Sequence, residues 1–222
     1  MTLDANKLPQ DFKKAPLLDH GTYPARLVGV LDLGLQPQSY KGQEKAPVNN
    51  IMLTYELSTE FLKDENDEDI TDKPRHISET IAFYPLSVEK ATSTKRYLAL
   101  DPEKKYGGDW SKVVGAPCSV TIIHNKSRLS DKIYANVSYV SGPMKGFPYP
   151  ELKNDPKILD RDDPDMEVWN NLPEWIQKKI MDGLDFSSTK LGEMVHGKSY
   201  EEEAEGDYPS MSNTDPMDEP PF

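Results

Sequence analysis

The stretch 22-TYPARLVGVLDLG-34 decides how the chain is read. Ala25, Leu27, Gly29, Leu31 and Leu33 fall on one side of an extended backbone and Arg26 and Asp32 on the other, the period of two that marks a β-strand. Gly29 and Gly34 suit a strand that bends hard, because a missing side chain lets a sheet coil or bulge. A long, strongly bent strand is what a small barrel requires.

Working outward, four further strands are expected. In 50-NIMLTYELSTEF-61, Ile51, Leu53, Tyr55 and Leu57 share one face and Met52, Thr54 and Glu56 the other. Segments 74–84, 117–125 and 131–141 read as strands three, four and five. Between strands three and four, 87-SVEKATSTKRYLAL-100 loses the period of two, and Ser87 is placed to cap a helix. Strand, strand, strand, helix, strand, strand is the order of the OB-fold, a partly open five-stranded Greek-key barrel; a plain sandwich is the alternative. The expected class is therefore mainly β. The expected divisions are an N-terminal arm at 1–19, an OB-fold domain at 20–150, a linker and helical extension at 151–198, and a disordered acidic tail at 199–222. Within the extension, 171-NLPEWIQKKIMDGL-184 reads as one helix capped by Asn171, its stripe of Trp169, Leu172, Ile176 and Ile180 set to pack on the barrel or a second subunit, so a homodimer is possible.

Composition narrows the function classes. No apolar run approaches a membrane span and the N-terminus lacks a signal-peptide pattern, which implies a cytoplasmic protein. Cys118 is the only cysteine, so no disulfide framework or CxxC zinc site exists, and His20, His76, His124 and His196 show no metal-binding spacing. No cofactor is expected. The acidic run 64-DENDEDITD-72 fails as an EF-hand, because Asp69 stands where the turn needs glycine and Arg75 where a glutamate should close the site. It reads as a solvated hairpin loop.

The formal charge of −12 is uneven: residues 199–222 hold eight acids and no Lys or Arg, leaving 30 acids against 26 bases in the first 198 residues. Residues 1–150 carry 19 acids and 19 bases, but seven of those acids lie in 60–72, so the remaining framework has 12 acids against 18 bases. A mildly basic framework with an acidic end fits a nucleic-acid binder with an interaction tail.

Binding single strands takes cations for phosphates and flat rings for bases. The loop between strands one and two offers Tyr40, Lys41 and Lys45, and the connection between strands four and five offers Lys126, Arg128 and Lys132; OB-folds turn these loops to their ligands. Tyr134 falls on the polar face of strand five with Asn136 and Ser138. Arg26, Arg75 and His76 are candidates for one shared face, and Phe147 and Tyr149 in 144-MKGFPYP-150 add rings, either as ligands for bases or as cover for the barrel.

The tail ends in 217-MDEPPF-222, where Asp218 and Glu219 precede Pro221 and Phe222. A ring flanked by acids suits an apolar hole ringed by Lys or Arg on a partner. This acidic stretch ending in Pro-Phe, together with the barrel order and 23-YPARLVGVLDLG-34, resembles the bacteriophage single-stranded DNA-binding proteins. The resemblance covers residues 20–141 and the tail, and implies an OB-fold that coats and protects unpaired DNA with little sequence preference during replication, recombination or repair. It also implies a tail that recruits replication or recombination proteins and competes with DNA for the basic groove. The long Gly- and Gln-rich linker and the Ile-Pro-Phe tip of bacterial members are absent. Two other readings stand beside it: a Mg²⁺-dependent nuclease using the acids of 160-DRDDPDMEVW-169, and an adaptor whose acidic end mimics DNA. The binder is the reading preferred, with no catalytic residues and no metal.

Overall fold

The computed structural model describes residues 16–40, 42–127 and 131–204. It is mainly β: a strongly curled antiparallel half-barrel of five strands with a few short helices. The strands are β1 (Gly21–Tyr40), β2 (Gln43–Lys63), β3 (Asp69–Ala82), β4 (Pro117–Lys126) and β5 (Ile133–Ser141), in the order β3-β2-β1-β4-β5. The short β6 (Lys157–Leu159) pairs in parallel with Gly29–Leu31 of β1. Among the described residues no helix is long and apolar enough to cross a membrane.

β1 sets the curl. It pairs with β2 along its length and with β4 over Gly21–Arg26, and its register against β2 shifts at Leu27/Gly29, Asp32/Gly34 and Gln36/Gln38. Each extra residue bends the strand and raises its twist. The first shift also reverses the side-chain phase, which corrects the single face expected from the sequence. Ala25, Leu27 and Val30 point into the barrel, whereas Leu31 and Leu33 belong to a separate cluster outside it. The glycine at 29 permits a close approach, since a Cβ there would lie 3.3 Å from Thr54 Cβ and 3.5 Å from the Lys157 carbonyl of β6.

Inside, the β1 residues meet Ile51, Leu53, Tyr55 and Leu57 of β2, Ile77 of β3, Cys118, Val120 and Ile122 of β4 and Val140 of β5. Helix α1 (Thr92–Leu100) and the 3₁₀ turn Trp110–Val113 contribute Tyr97 and Trp110, whose rings meet edge-on at 5.3 Å. β3 and β5, the two ends of the strand path, touch without pairing. Arg96 of α1 ties them: its Nε donates to Glu79 Oε1 of β3 at 2.8 Å and its Nη2 to the Ser138 carbonyl of β5 at 3.2 Å. Farther along the same seam lies the N-terminal segment, where Arg75 donates to the Pro16 carbonyl, His124 Nε2 bonds the Leu18 carbonyl at 2.7 Å, and the Leu18 side chain enters the core.

The outer cluster explains residues 157–191. Leu31, Leu33 and Met52 are covered by Leu159, Trp169, Leu172, Ile176, Ile180, Phe186 and Leu191. Each such side chain taken from water contributes roughly 1.5–3 kcal/mol, enough to hold the extension on the sheet. The extension is three helices, α2 (Met166–Asn170), α3 (Glu174–Met181) and α4 (Lys190–Ala204), rather than one helix over 171–184. Asn171 ends α2 instead of starting α3, because Pro173 keeps Leu172 out of helical geometry. Asp165 caps α2 by accepting from the backbone N–H groups of Glu167 and Val168, a start hidden in the acidic run 160–169. Likewise α1 begins at Thr92 and not after Ser87, since Val88 and Ala91 turn back onto the carbonyls of Pro85 and Val88. α4 carries its backbone to Ala204, so residues 199–204, expected to be disordered, are helical. Residues 1–15 of the arm and 205–222 of the tail, with Asp218, Glu219, Pro221 and Phe222, lie outside the described residues.

Candidate nucleic-acid interface

Strand register places Arg26, Glu56 and His76 side by side across β1, β2 and β3 on the outer face. Arg75, one residue from His76, therefore faces the other way and is engaged with the Pro16 carbonyl. Arg26 shares the row but is turned to structure: its guanidinium donates to the carbonyls of Gly115 (2.6 Å), Pro150 (2.6 Å) and Tyr149 (3.2 Å). Those bonds fasten 149–150 over β1. Phe147 and Tyr149, half-buried, meet edge-on at 4.9 Å, and the Tyr149 hydroxyl accepts from the Met144 N–H at 2.8 Å. The two rings thus pack on each other, and neither lines the groove beside the row.

Glu56, at 6% exposure, is the hub of the row. Its carboxylate accepts from the backbone N–H groups of Lys153 (2.9 Å) and Asn154 (3.0 Å) and from Asn154 Nδ2 (2.7 Å). A buried carboxylate is tolerable only with such donors. His76 Nε2 stands 4.0 Å from the same carboxylate. Burial holds the His76 pKa below its ordinary value; Glu56 opposes that shift and Lys157 reinforces it, so the ring is neutral at neutral pH.

Next to this row the extension and the sheet enclose an open groove of about 310 Å³. It is lined by Thr54, His76 and Ser78 of β2 and β3, by Asn154, Asp155 and Lys157, and by Trp175 and Ile176 of α3. The Thr54 and Ser78 hydroxyls are bonded to each other at 2.9 Å. Trp175 is 60% exposed, whereas Trp110 and Trp169 are buried. An indole face, a cation and small hydroxyls around an apolar floor can stack a base, hold a phosphate and bond to base edges. Trp175 is not among the residues that the sequence pattern singles out, since it lies beside the apolar stripe of α3 and not on it; a tryptophan in that position is the signal that finds it.

The loop candidates are distributed differently from expectation. Tyr40 closes β1, Lys45 is exposed on β2, and Lys41 and Arg128 lie outside the described residues. Lys126 pairs with Asp131 at 2.7 Å, and Lys132 is exposed. Ile122 of β4 pairs with Gly21, the start of β1, so the β4–β5 hairpin projects past one end of β1 while the β1–β2 hairpin forms the other. Among the described residues, Lys45 thus lies toward the opposite end of β1 from Lys126 and Lys132. Tyr134 is 50% exposed on β5, and a register shift at Tyr139/Val137 presents Tyr139 as well, a second ring that strict alternation hid.

The acids of 160–169 do not converge. Asp160 accepts from the Asp162 N–H, Asp163 pairs with Lys190 at 3.2 Å, and Asp165 caps α2. Among the described residues no three His, Cys, Asp or Glu side chains are placed to share a metal ion. The Cys118 thiol, buried in the core, is pushed up to about 12, which keeps it protonated and unreactive. No protein-family model matches the chain, and no functionally described protein matches its sequence.

Proposed function

We propose that this protein is a single-stranded DNA-binding protein built on an OB-fold, which coats and protects unpaired DNA with little sequence preference and recruits replication or recombination proteins through its acidic C-terminal residues. The observation that carries the reading is the groove, which an exposed Trp175 lines together with Thr54, His76, Ser78 and Lys157. The strand order supports the fold assignment, because β1 is shared by a β1-β2-β3 and a β1-β4-β5 arm whose free ends meet beside α1. Selective recognition would call for a rigid set of donors and acceptors aimed at one base; here one hydroxyl proton is shared between Thr54 and Ser78, the other is free to turn to any acceptor, and a ring accepts every base.

The test exploits the tryptophans. With Trp110 and Trp169 buried, quenching of indole fluorescence on adding oligo(dT) reports on Trp175. Base stacking contributes on the order of 1–3 kcal/mol, so Trp175→Ala weakens binding about 5- to 150-fold. A wild-type protein that gives no quenching and no mobility shift with single strands, or that prefers duplex, refutes the reading.

A further inference from the structure

Across β6 from the groove, the connection between β3 and β4 carries a second set of rings and cations. Tyr84 and Tyr106 are 41% and 38% exposed, and Lys90, Lys95, Lys104 and Lys105 are all on the surface. The connection is held together locally. The Tyr84 N–H donates to Ser93 Oγ, Gly108 lies against the Leu86 side chain, and its N–H donates to the Tyr97 hydroxyl. Lys105 Nζ sits 5.1 Å over one face of the Tyr106 ring, which places the charge beside the exposed ring. The nearby acids are largely committed: Asp101 accepts from Tyr97 and from the N–H groups of Lys105 and Tyr106, and Asp109 from Ser111 while pairing with Lys112. Glu89 and Glu103 remain against four lysines. Between the two surfaces, Phe83, Trp110 and Leu159 line a depression of about 330 Å³ together with Asp32, Asp109 and Asp160, which are engaged by Arg161, Lys112 and the Asp162 N–H; it adjoins the groove through β6, where Lys157 lines one and Ile158 the other.

We infer that the β3–β4 connection is a second contact surface for single-stranded nucleic acid, engaged only by strands long enough to leave the Trp175 groove and cross β6. The inference rests on the proposed function. A cationic, ring-bearing surface suits a polyanion with exposed bases, and its lysines contribute mainly through counterion release.

The experiment compares a six-nucleotide and a roughly 25-nucleotide oligo(dT) on the full chain and on two variants, Lys90→Gln/Lys95→Gln/Lys104→Gln/Lys105→Gln and Tyr84→Ala/Tyr106→Ala. Expected is unchanged affinity for the short strand, which also shows that the variants are folded, and at least about tenfold weaker binding of the long strand by each. Four lost phosphate contacts lower the slope of log K against log salt by about 3 in the lysine variant, at about 0.7 per phosphate for single strands. Wild-type affinity for the long strand in either variant, or equal weakening for short and long strands, overturns the inference while the proposed function stands. Failure of the unmodified protein to bind either strand defeats the proposed function itself.

Discussion

Replacing Gly34 with alanine tests whether the C-terminal extension is part of the β-structure's working surface. Gly34 has φ of +77°, and a Cβ there would lie 2.4 Å from Arg161 Nη1 and 2.9 Å from Asp185 Oδ1. Arg161 is the clamp of the extension: Nη1 and Nη2 donate to Asp185 at 2.8 and 2.9 Å, and Nε stands 3.1 Å from Asp32 Oδ2 on β1. Asp185 also accepts the Leu35 N–H at 3.0 Å, so the crowded point fastens extension to strand. Left-handed backbone costs an alanine roughly 1–2 kcal/mol. Breaking a buried ion pair costs about 3–5 kcal/mol, and partial exposure of Asp185 puts this one at the lower end. Gly42 supplies the control, with φ of +78° and nothing within 4 Å of its Cβ position. Gly42→Ala should therefore show the backbone cost alone, and Gly34→Ala about 3 kcal/mol more, read from urea midpoints. Gly34→Ala should also speed proteolysis of 157–191 and weaken oligo(dT) binding, although residue 34 is not among those lining the groove. Equal midpoints for the two alanines would refute the argument that the clamp anchors the extension.

Three further outcomes are expected. Arg26→Ala should lower thermal stability by releasing 149–150, yet leave the salt dependence of oligo(dT) binding unchanged, because its donors are spent on carbonyls; a reduced slope would restore it to the phosphate path. Asp185 has its pKa lowered first by the hydrogen bonds from Arg161, so its contribution is present above the ordinary value near 3.8 and is lost as pH falls through the depressed folded value; Asp185→Asn should flatten the acid limb of the stability profile, and an unchanged limb counts against the clamp. Removing residues 205–222, which carry five acids and no bases, should tighten oligo(dT) binding at low salt and have little effect at physiological salt; equal low-salt affinities with and without them would exclude competition.

Strand periodicity was legible where one face is buried and nothing interrupts the phase: Ile51, Leu53, Tyr55 and Leu57 all point into the barrel as the alternation of β2 requires. It failed in β1 and β5, because a bulge adds a residue without any mark in the pattern, and everything beyond it changes sides. The extension was misread for a related reason. Its helices are short, and their caps, Asp165 and the Pro173 break, sit inside runs that look like solvated loop. For the candidate site, residue type was informative and pairing was not. Of the cations that the sequence favours, Arg26 and Arg75 are met by carbonyls that only the fold brings near, and Lys126 by Asp131 within its own hairpin.

The bulge that defeated the alternation in β1 is also what makes the groove. Had the phase continued, Leu31 and Leu33 would have entered the barrel, and the outer face of β1–β2 would have been polar and bare. By turning them outward beside Met52, the extra residue at 28 creates an apolar strip that water disfavours and the extension must cover. Covering it sets α3 against β1, which is how Trp175 comes to line one groove with Thr54, His76 and Ser78. The glycines at 29 and 34 serve the same end, one admitting β6 and the other the Arg161–Asp185 clamp. The half-barrel alone therefore lacks the stacking ring, and a fragment ending near residue 150 should lose both stability and the fluorescence response that the whole chain is expected to give.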